Sequence, residues 1–345
     1  MESLHRTANL ALSASASLTL AITGALTIRD DSGLLLYSDV SASPATSRTA
    51  IVLAFAAIYL IWGSTYLAIR VAVETLPPFL MAIARFLVAG SLAYAWLSYW
   101  GRGRVTSTQV WDNAVVGALL LVGGNGLVVW AEQTIPSGIT TLIISVSPLF
   151  MVLTDWMLPS GARPTWPTLL GLALGFGGLV LLIGGGISPG VGLDLWRCAG
   201  LMVACLSWSV GSLYSRYAKN PAEPMTAATL QMLLGGFMMF VIGIARGEAA
   251  GFHAEMLTLR SVGAWSYLVC AGSLIAFPAY VYLLKHSTPA RVSTYAYVNP
   301  VVAVFLGWLI LSEPVTPRTL VASAIIIAAV AIITVQRSRT AKKPA

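Results

Sequence analysis

The chain has 345 residues, of which 57% are apolar and only 10% charged, with a formal net charge of +7 and a mean hydropathy of +0.81. An ordinary soluble domain carries roughly 25% charged residues, and the long charge-free stretches here leave nothing from which a water-facing shell could be built, so a soluble fold is excluded. The positive balance would suggest nucleic acid in a soluble chain, but it sits in short loops and a basic tail, where it sets topology, so no nucleic-acid partner is expected.

In chain order, residues 1–49 come first. Thr7 to Ile28 is uncharged but crowded with Ser and Thr, as at Ser13, Ser15 and Ser17, too polar for a span, and is expected to be a disordered N-terminal tail. Apolar stretches follow near 50–70, 78–99, 112–131, 138–158 and 165–185, then 196–215, 225–245, 262–284, 290–311 and 317–336. Each is about the 20 residues that cross roughly 30 Å at 1.5 Å per residue. Runs such as Val321 to Thr334 lack the alternation of a barrel strand, so helices are the spanning form. The fold class expected is an all-α membrane protein of ten transmembrane helices, with a first domain at 50–185, a second at 196–336 and a basic tail at 337–345.

Lys and Arg orient these spans. With the N-terminus inside, 14 of the 20 fall on that side, among them Arg48, Arg102, Arg163, Arg216, Lys285 and Lys342. Five fall on the other, Arg70, Arg197, Arg246, Arg260 and Arg318, and Arg85 lies within a span. Both termini are therefore expected in the cytoplasm.

The chain also repeats itself. A shift of 146 residues brings Trp62, Leu67, Arg70, Ala72 and Pro78 onto Trp208, Leu213, Arg216, Ala218 and Pro224, and over positions 62 to 90 eight of 29 residues are identical. Near a shift of 152 to 153, Pro136, Thr141, Pro148 and Trp156 meet Pro289, Thr294, Pro300 and Trp308. Each half holds five spans, an odd number, so the second enters the membrane from the opposite side: two inverted five-helix repeats, the arrangement that serves alternating access. The function expected is secondary active transport of a small organic solute, with a membrane-embedded enzyme or a channel subunit as the alternatives. No H-E-x-x-H or G-x-S-x-G supports an enzyme.

The run Trp62-Gly63-Ser64-Thr65-Tyr66-Leu67-Ala68-Ile69-Arg70, then Pro77-Pro78, Ala84-Arg85-Phe86, Trp130-Ala131-Glu132 and Val298-Asn299-Pro300, resembles the EamA-type permeases of the drug/metabolite transporter superfamily over residues 50 to 336. The resemblance implies a ten-helix bundle in the bacterial inner membrane that exports metabolites, amino acids or toxic compounds. It also implies a central cavity lined by the first, third, fourth, sixth, eighth and ninth spans.

Several residues are candidates for that cavity. Trp62, Tyr66 and Arg70 recur every four residues and form one stripe, as do Trp208, Ser212 and Arg216. The stripe either faces the cavity or packs between helices, with Arg70 free to pair with Glu74. Arg85 inside the second span would cost about 2.5–3.5 kcal/mol facing lipid at mid-membrane, so it faces protein or water; it pairs with Glu74 or Glu132, or it meets substrate. Asn125, Trp130, Tyr280, Tyr282, Tyr297 and Asn299 could add polar and aromatic groups. Arg70, Glu132, Asp155 and Lys285 are candidates for gating or proton coupling, against the plainer reading of charges at helix ends. Pro148, Pro278 and Pro300 break helical hydrogen bonds inside spans, where unwound backbone lines sites or merely kinks. Three cysteines and three histidines, scattered and without a C-x-x-C, imply no metal or cofactor. The partners expected are a small-molecule substrate, the lipid bilayer, a coupling proton or counter-solute, and a second copy of the chain.

Overall fold

The computed structural model describes residues 26–29, 35–38, 48–101, 105–157, 164–183, 194–218, 221–287, 289–292 and 294–340. The chain divides into two compact units, Met1–Arg48 and Thr49–Ala345. In the first, β1 (Leu26–Arg29) and β2 (Leu35–Ser38) pair antiparallel, Leu26 opposite Ser38. Across the pair, β-branched Thr27 and Ile28 stand opposite Tyr37 and Leu36. Apart from Arg48 and Thr49, which begin the first helix, the rest of the tail lies outside the described residues.

The second unit is helical throughout its described residues. Its helices are α1 (Arg48–Ala72), α2 (Pro78–Tyr99), α3 (Ser107–Ala131), α4 (Ser137–Met157), α5 (Trp166–Ile183), α6 (Leu195–Tyr217), α7 (Pro224–Ala245) and α8 (Leu259–His286). A short turn, Pro289–Val292, leads into α9 (Tyr295–Leu311), and α10 (Pro317–Thr340) ends the described chain. The first eight are each long and apolar enough to cross a bilayer; α9 and α10 contribute the shorter apolar stretches Val298–Leu311 and Pro317–Ile333. Leu53, Leu60, Phe237, Phe305 and Trp308 stand exposed on the outside, which suits lipid rather than water.

Local sequence explains where these helices start. Thr106 and Gln109 make a reciprocal capping box at α3, as Thr258 and Ser261 do at α8, and Asp194 accepts from the first amides of α6. Pro78 and Pro224 occupy first-turn positions whose amides have no helical acceptor. Two other caps come from afar: Glu248 accepts from Phe79 and Leu80 N (3.0 and 3.1 Å), and Glu313 from Ser137 and Gly138 N (2.8 and 3.1 Å).

Packing carries the repeat. α1 lies against α8 and α9, and α6 against α3 and α4; α2 and α7 lie along each other, as do α5 and α10. Each helix meets its counterpart, or the neighbours its counterpart would predict. Both third helices also change pitch at matching places, with π-helical segments at Ala118–Gly126 in α3 and Leu268–Ala276 in α8. A further π segment, Ala57–Ile61, lies in α1. Such segments are uncommon and collect at functional sites.

Candidate functional site

A cavity of about 60 Å³ lies where the two repeats meet. Trp62, Tyr66, Arg85, Asn125, Ser147, Trp208 and Tyr295 are among the residues lining it, drawn from α1, α2, α3, α4, α6, α8 and α9. The six helices expected are all present, and α2 joins them through Arg85 and Phe86.

One wall is aromatic. Trp62 and Trp208, equivalent in the two repeats, meet edge to face with ring centres 5.6 Å apart. Tyr295 meets Trp62 in the same way at 5.6 Å, and Tyr280 touches both tryptophans at 4.9 and 5.4 Å. Such edge contacts set the electropositive rim of one ring on the face of another. Tyr280 is fully buried, behind the lining rather than in it. Its hydroxyl accepts from Trp208 Nε1 (3.0 Å) and lies 2.7 Å from Ser212 Oγ, whose own hydrogen goes to the Trp208 carbonyl. Tyr280 therefore donates to Ser212, and the loop of bonds fixes the Trp208 ring.

Arg85 is 3% exposed. Its Nε donates to Ser273 Oγ at 2.8 Å, the guanidinium lies 4.9 Å over the Phe86 ring, and Nη1 has no hydrogen-bond partner. The pairings with Glu74 or Glu132 do not occur: Glu74 faces Arg260 at 3.4 Å, and both Glu132 carboxylate oxygens are buried without a partner. Asn125 Oδ1 is likewise unpartnered.

Other positions take different places. Trp130 lies outside the lining, under the Arg197 guanidinium (5.0 Å) with its carbonyl accepting from Arg197, and its ring fills the space beside Gly200. Tyr282 stacks on His286 at 4.1 Å and borders a separate groove with Pro278 and Leu53. Asn299 is buried, its amide nitrogen donating to the carbonyls of Ile58 and Tyr59 (3.2 and 3.1 Å) in the π segment of α1, which ties α9 to α1. The Tyr297 side chain lies outside the described residues. Thr65, Ser147 and Tyr295 line the cavity though the sequence did not single them out; Tyr295 stands one helical turn before Asn299, the spacing that would have flagged it.

The charged candidates sit at the two ends. Arg70 donates to the carbonyl of Glu132 rather than to Glu74. Lys285 is exposed, reaches the Ala222 carbonyl at 3.4 Å, and borders a cleft of about 330 Å³ with Arg216 and Asp112. Asp155 is half-buried in the last turn of α4. Pro148 follows a break in α4 at Ser145–Val146, where Ser147 Oγ takes up the freed Ile144 carbonyl at 2.6 Å. Pro278 follows the π segment of α8, and Pro300 lies inside α9.

The comparisons agree with this architecture. The inner membrane transporter YedA of Escherichia coli K12 is 35% identical over 290 residues, 84% of this chain and 92% of its own. Protein PecM of Dickeya dadantii is 25% identical, over 79% and 88%. A solved crystal structure, 22% identical, covers 85% of this chain and 99% of its own at a TM-score of 0.63, and shows the same fold. The model of the EamA-like transporter family matches twice, at residues 48–184 and 195–335, and the chain belongs to that family of membrane transporters.

Proposed function

We propose that the protein is a secondary transporter of the inner membrane that exports a small organic solute by alternating access, with ten spans, an inverted second repeat and both termini in the cytoplasm. Contacts at the helix ends support the inversion. The end of α1 meets the end of α3 through Arg70 and Glu132, and the start of α8 through Glu74 and Arg260. Glu248, just past α7, caps the start of α2. The third helix of one repeat thus ends on the face where the third helix of the other begins, as opposite polarity requires.

The observation that carries the transport reading is the cavity itself, walled where Trp62 meets its own equivalent, Trp208. Two similar halves packed around one site have two nearly equivalent packings, each opening the site to one face. The drive proposed is a proton or a counter-solute. The experiment is counterflow in proteoliposomes across a panel of organic anions, cations and neutral solutes. Saturable exchange that preloaded solute accelerates is expected. Flux that rises linearly with concentration and shows no counterflow would mean a channel, and no flux for any solute would refute the reading.

A further inference from the structure

We infer that the solute is a small organic monocarboxylate, bound with its carboxylate on Arg85 and its apolar body against Trp62 and Tyr295. The inference rests on the transport reading above.

A buried guanidinium is stable only with its donors satisfied and its charge answered. Ser273 takes Nε, but Nη1 has no acceptor, and among the described residues no carboxylate lies within ion-pair distance of Arg85. No Asp or Glu lines the cavity, so its lining carries one uncompensated positive charge. Ser273 fixes the guanidinium plane and leaves Nη1 without an acceptor, and the arginine fork is suited to a carboxylate. A lone arginine suits one negative charge; a phosphate dianion would need a second cation. A solute ammonium would find no anion in the lining, which disfavours amines and makes zwitterions poor fits. Asn125 Oδ1 is a free acceptor on the same cavity and suits a hydroxyl beside the carboxylate. The cavity's 60 Å³ is smaller than an aromatic ring needs, so the walls part to admit one.

The test compares four solutes of one shape on the purified full-length protein: mandelate, mandelamide, phenylglycine and phenylethanolamine. Binding is read from quenching of tryptophan fluorescence and transport from counterflow. Mandelate should bind at least about tenfold more tightly than the other three. Arg85→Gln should erase that preference, Arg85→Lys should keep part of it, and Asn125→Asp, which neutralises the lining, should lower mandelate affinity while improving phenylethanolamine. Size-exclusion profiles show which variants fold, and Asn125→Asp tests the charge argument if Arg85→Gln does not. Equal binding of mandelamide or phenylethanolamine by the unaltered protein overturns the inference, as does undiminished mandelate preference in Arg85→Gln. Arg85-dependent mandelate binding without exchange of any solute would uphold the carboxylate site and refute transport; saturable exchange of the amine but not of mandelate would do the reverse.

Discussion

Arg70 and Arg216, equivalent residues of the two repeats, close the same joint in each half. Arg70, near the end of α1, donates to the Glu132 carbonyl just past α3; Arg216, near the end of α6, donates to the Leu284 carbonyl of α8 and to Ser287, both at 3.1 Å. In each case an arginine takes up carbonyls that the end of the third helix leaves without helical partners. If the halves are inverted, the two joints lie on opposite faces.

Removing one joint should therefore bias the transporter toward opening on that face. A hydrogen bond to a charged group contributes about 1.5–3 kcal/mol, enough to shift a two-state balance roughly tenfold or more. In a background lacking Cys198, Cys205 and Cys270, a Ser147→Cys probe in the cavity reports access by impermeant thiol reagents. Arg70→Ala should raise labelling from the Glu132 face, and Arg216→Ala from the Leu284 face. Parallel changes in both variants would show that the joints are not paired gates.

Tyr280 ties Trp208 to Ser212 through its hydroxyl. Tyr280→Phe keeps the ring contacts with Trp62 and Trp208 but leaves the indole N–H without an acceptor, a loss of about 1–3 kcal/mol. Solute affinity should fall several-fold while the amount of folded protein in the membrane stays near normal. Reading affinity beside abundance distinguishes this from a packing defect: Tyr280→Leu, which also removes the ring, should lose both.

Much of this was legible in the sequence because lipid constrains composition so strongly. The spans and the need for Arg85 to avoid lipid follow from charge and hydropathy, and the repeat from residue identities at a fixed shift. The partner of Arg85 did not, since Ser273 lies 188 residues away and is an ordinary serine in an apolar run. The stripe of Trp62 and Tyr66 was read on a four-residue period, and both residues line the cavity. Trp130 came from a motif with no such spacing behind it; it stands past the π segment of α3, which shifts the helical face, and turns toward Arg197. The Glu248 and Glu313 caps were equally hidden, because a distant loop carboxylate has no spacing relation to the helix it caps.

Glu132 gives a pH dependence whose sign can be worked out. It lies just past Ala131, the last residue of α3, and burial raises its carboxyl well above the ordinary 4.5; Glu313 adds to the rise and Arg70 opposes it. An acid that holds its proton more tightly when folded makes the folded state bind more protons than the unfolded one. Stability is then lost as pH climbs from the ordinary value to the raised one. Unfolding midpoints in detergent should fall as pH rises above the ordinary carboxyl value, and Glu132→Gln should flatten that slope and lie above the unaltered protein at the alkaline end. An unchanged slope would remove Glu132 as its source.

Gly117 is where α3 and α7 approach backbone to backbone. A Cβ there would stand 2.8 Å from the Gln231 carbonyl oxygen and 3.2 Å from Gly235 N, and one on Gly235 would stand 3.0 Å from the Gly117 carbonyl. Main-chain atoms cannot swing aside as a side-chain tip can, so Gly117→Ala should force the helices apart at a cost of about 1–3 kcal/mol. The same contact holds Gln231, the repeat equivalent of Arg85, against Asn113 at 2.8 Å, so its loss would also loosen a buried polar pair. Gly177 in α5 and Gly263 in α8 have nothing within 4 Å of a new Cβ. There the same substitution should raise stability by up to about 1 kcal/mol through helix propensity. Unfolding midpoints of the three alanine variants check the contrast directly; a Gly117→Ala midpoint equal to that of Gly177→Ala would show that the two helices have room to spare.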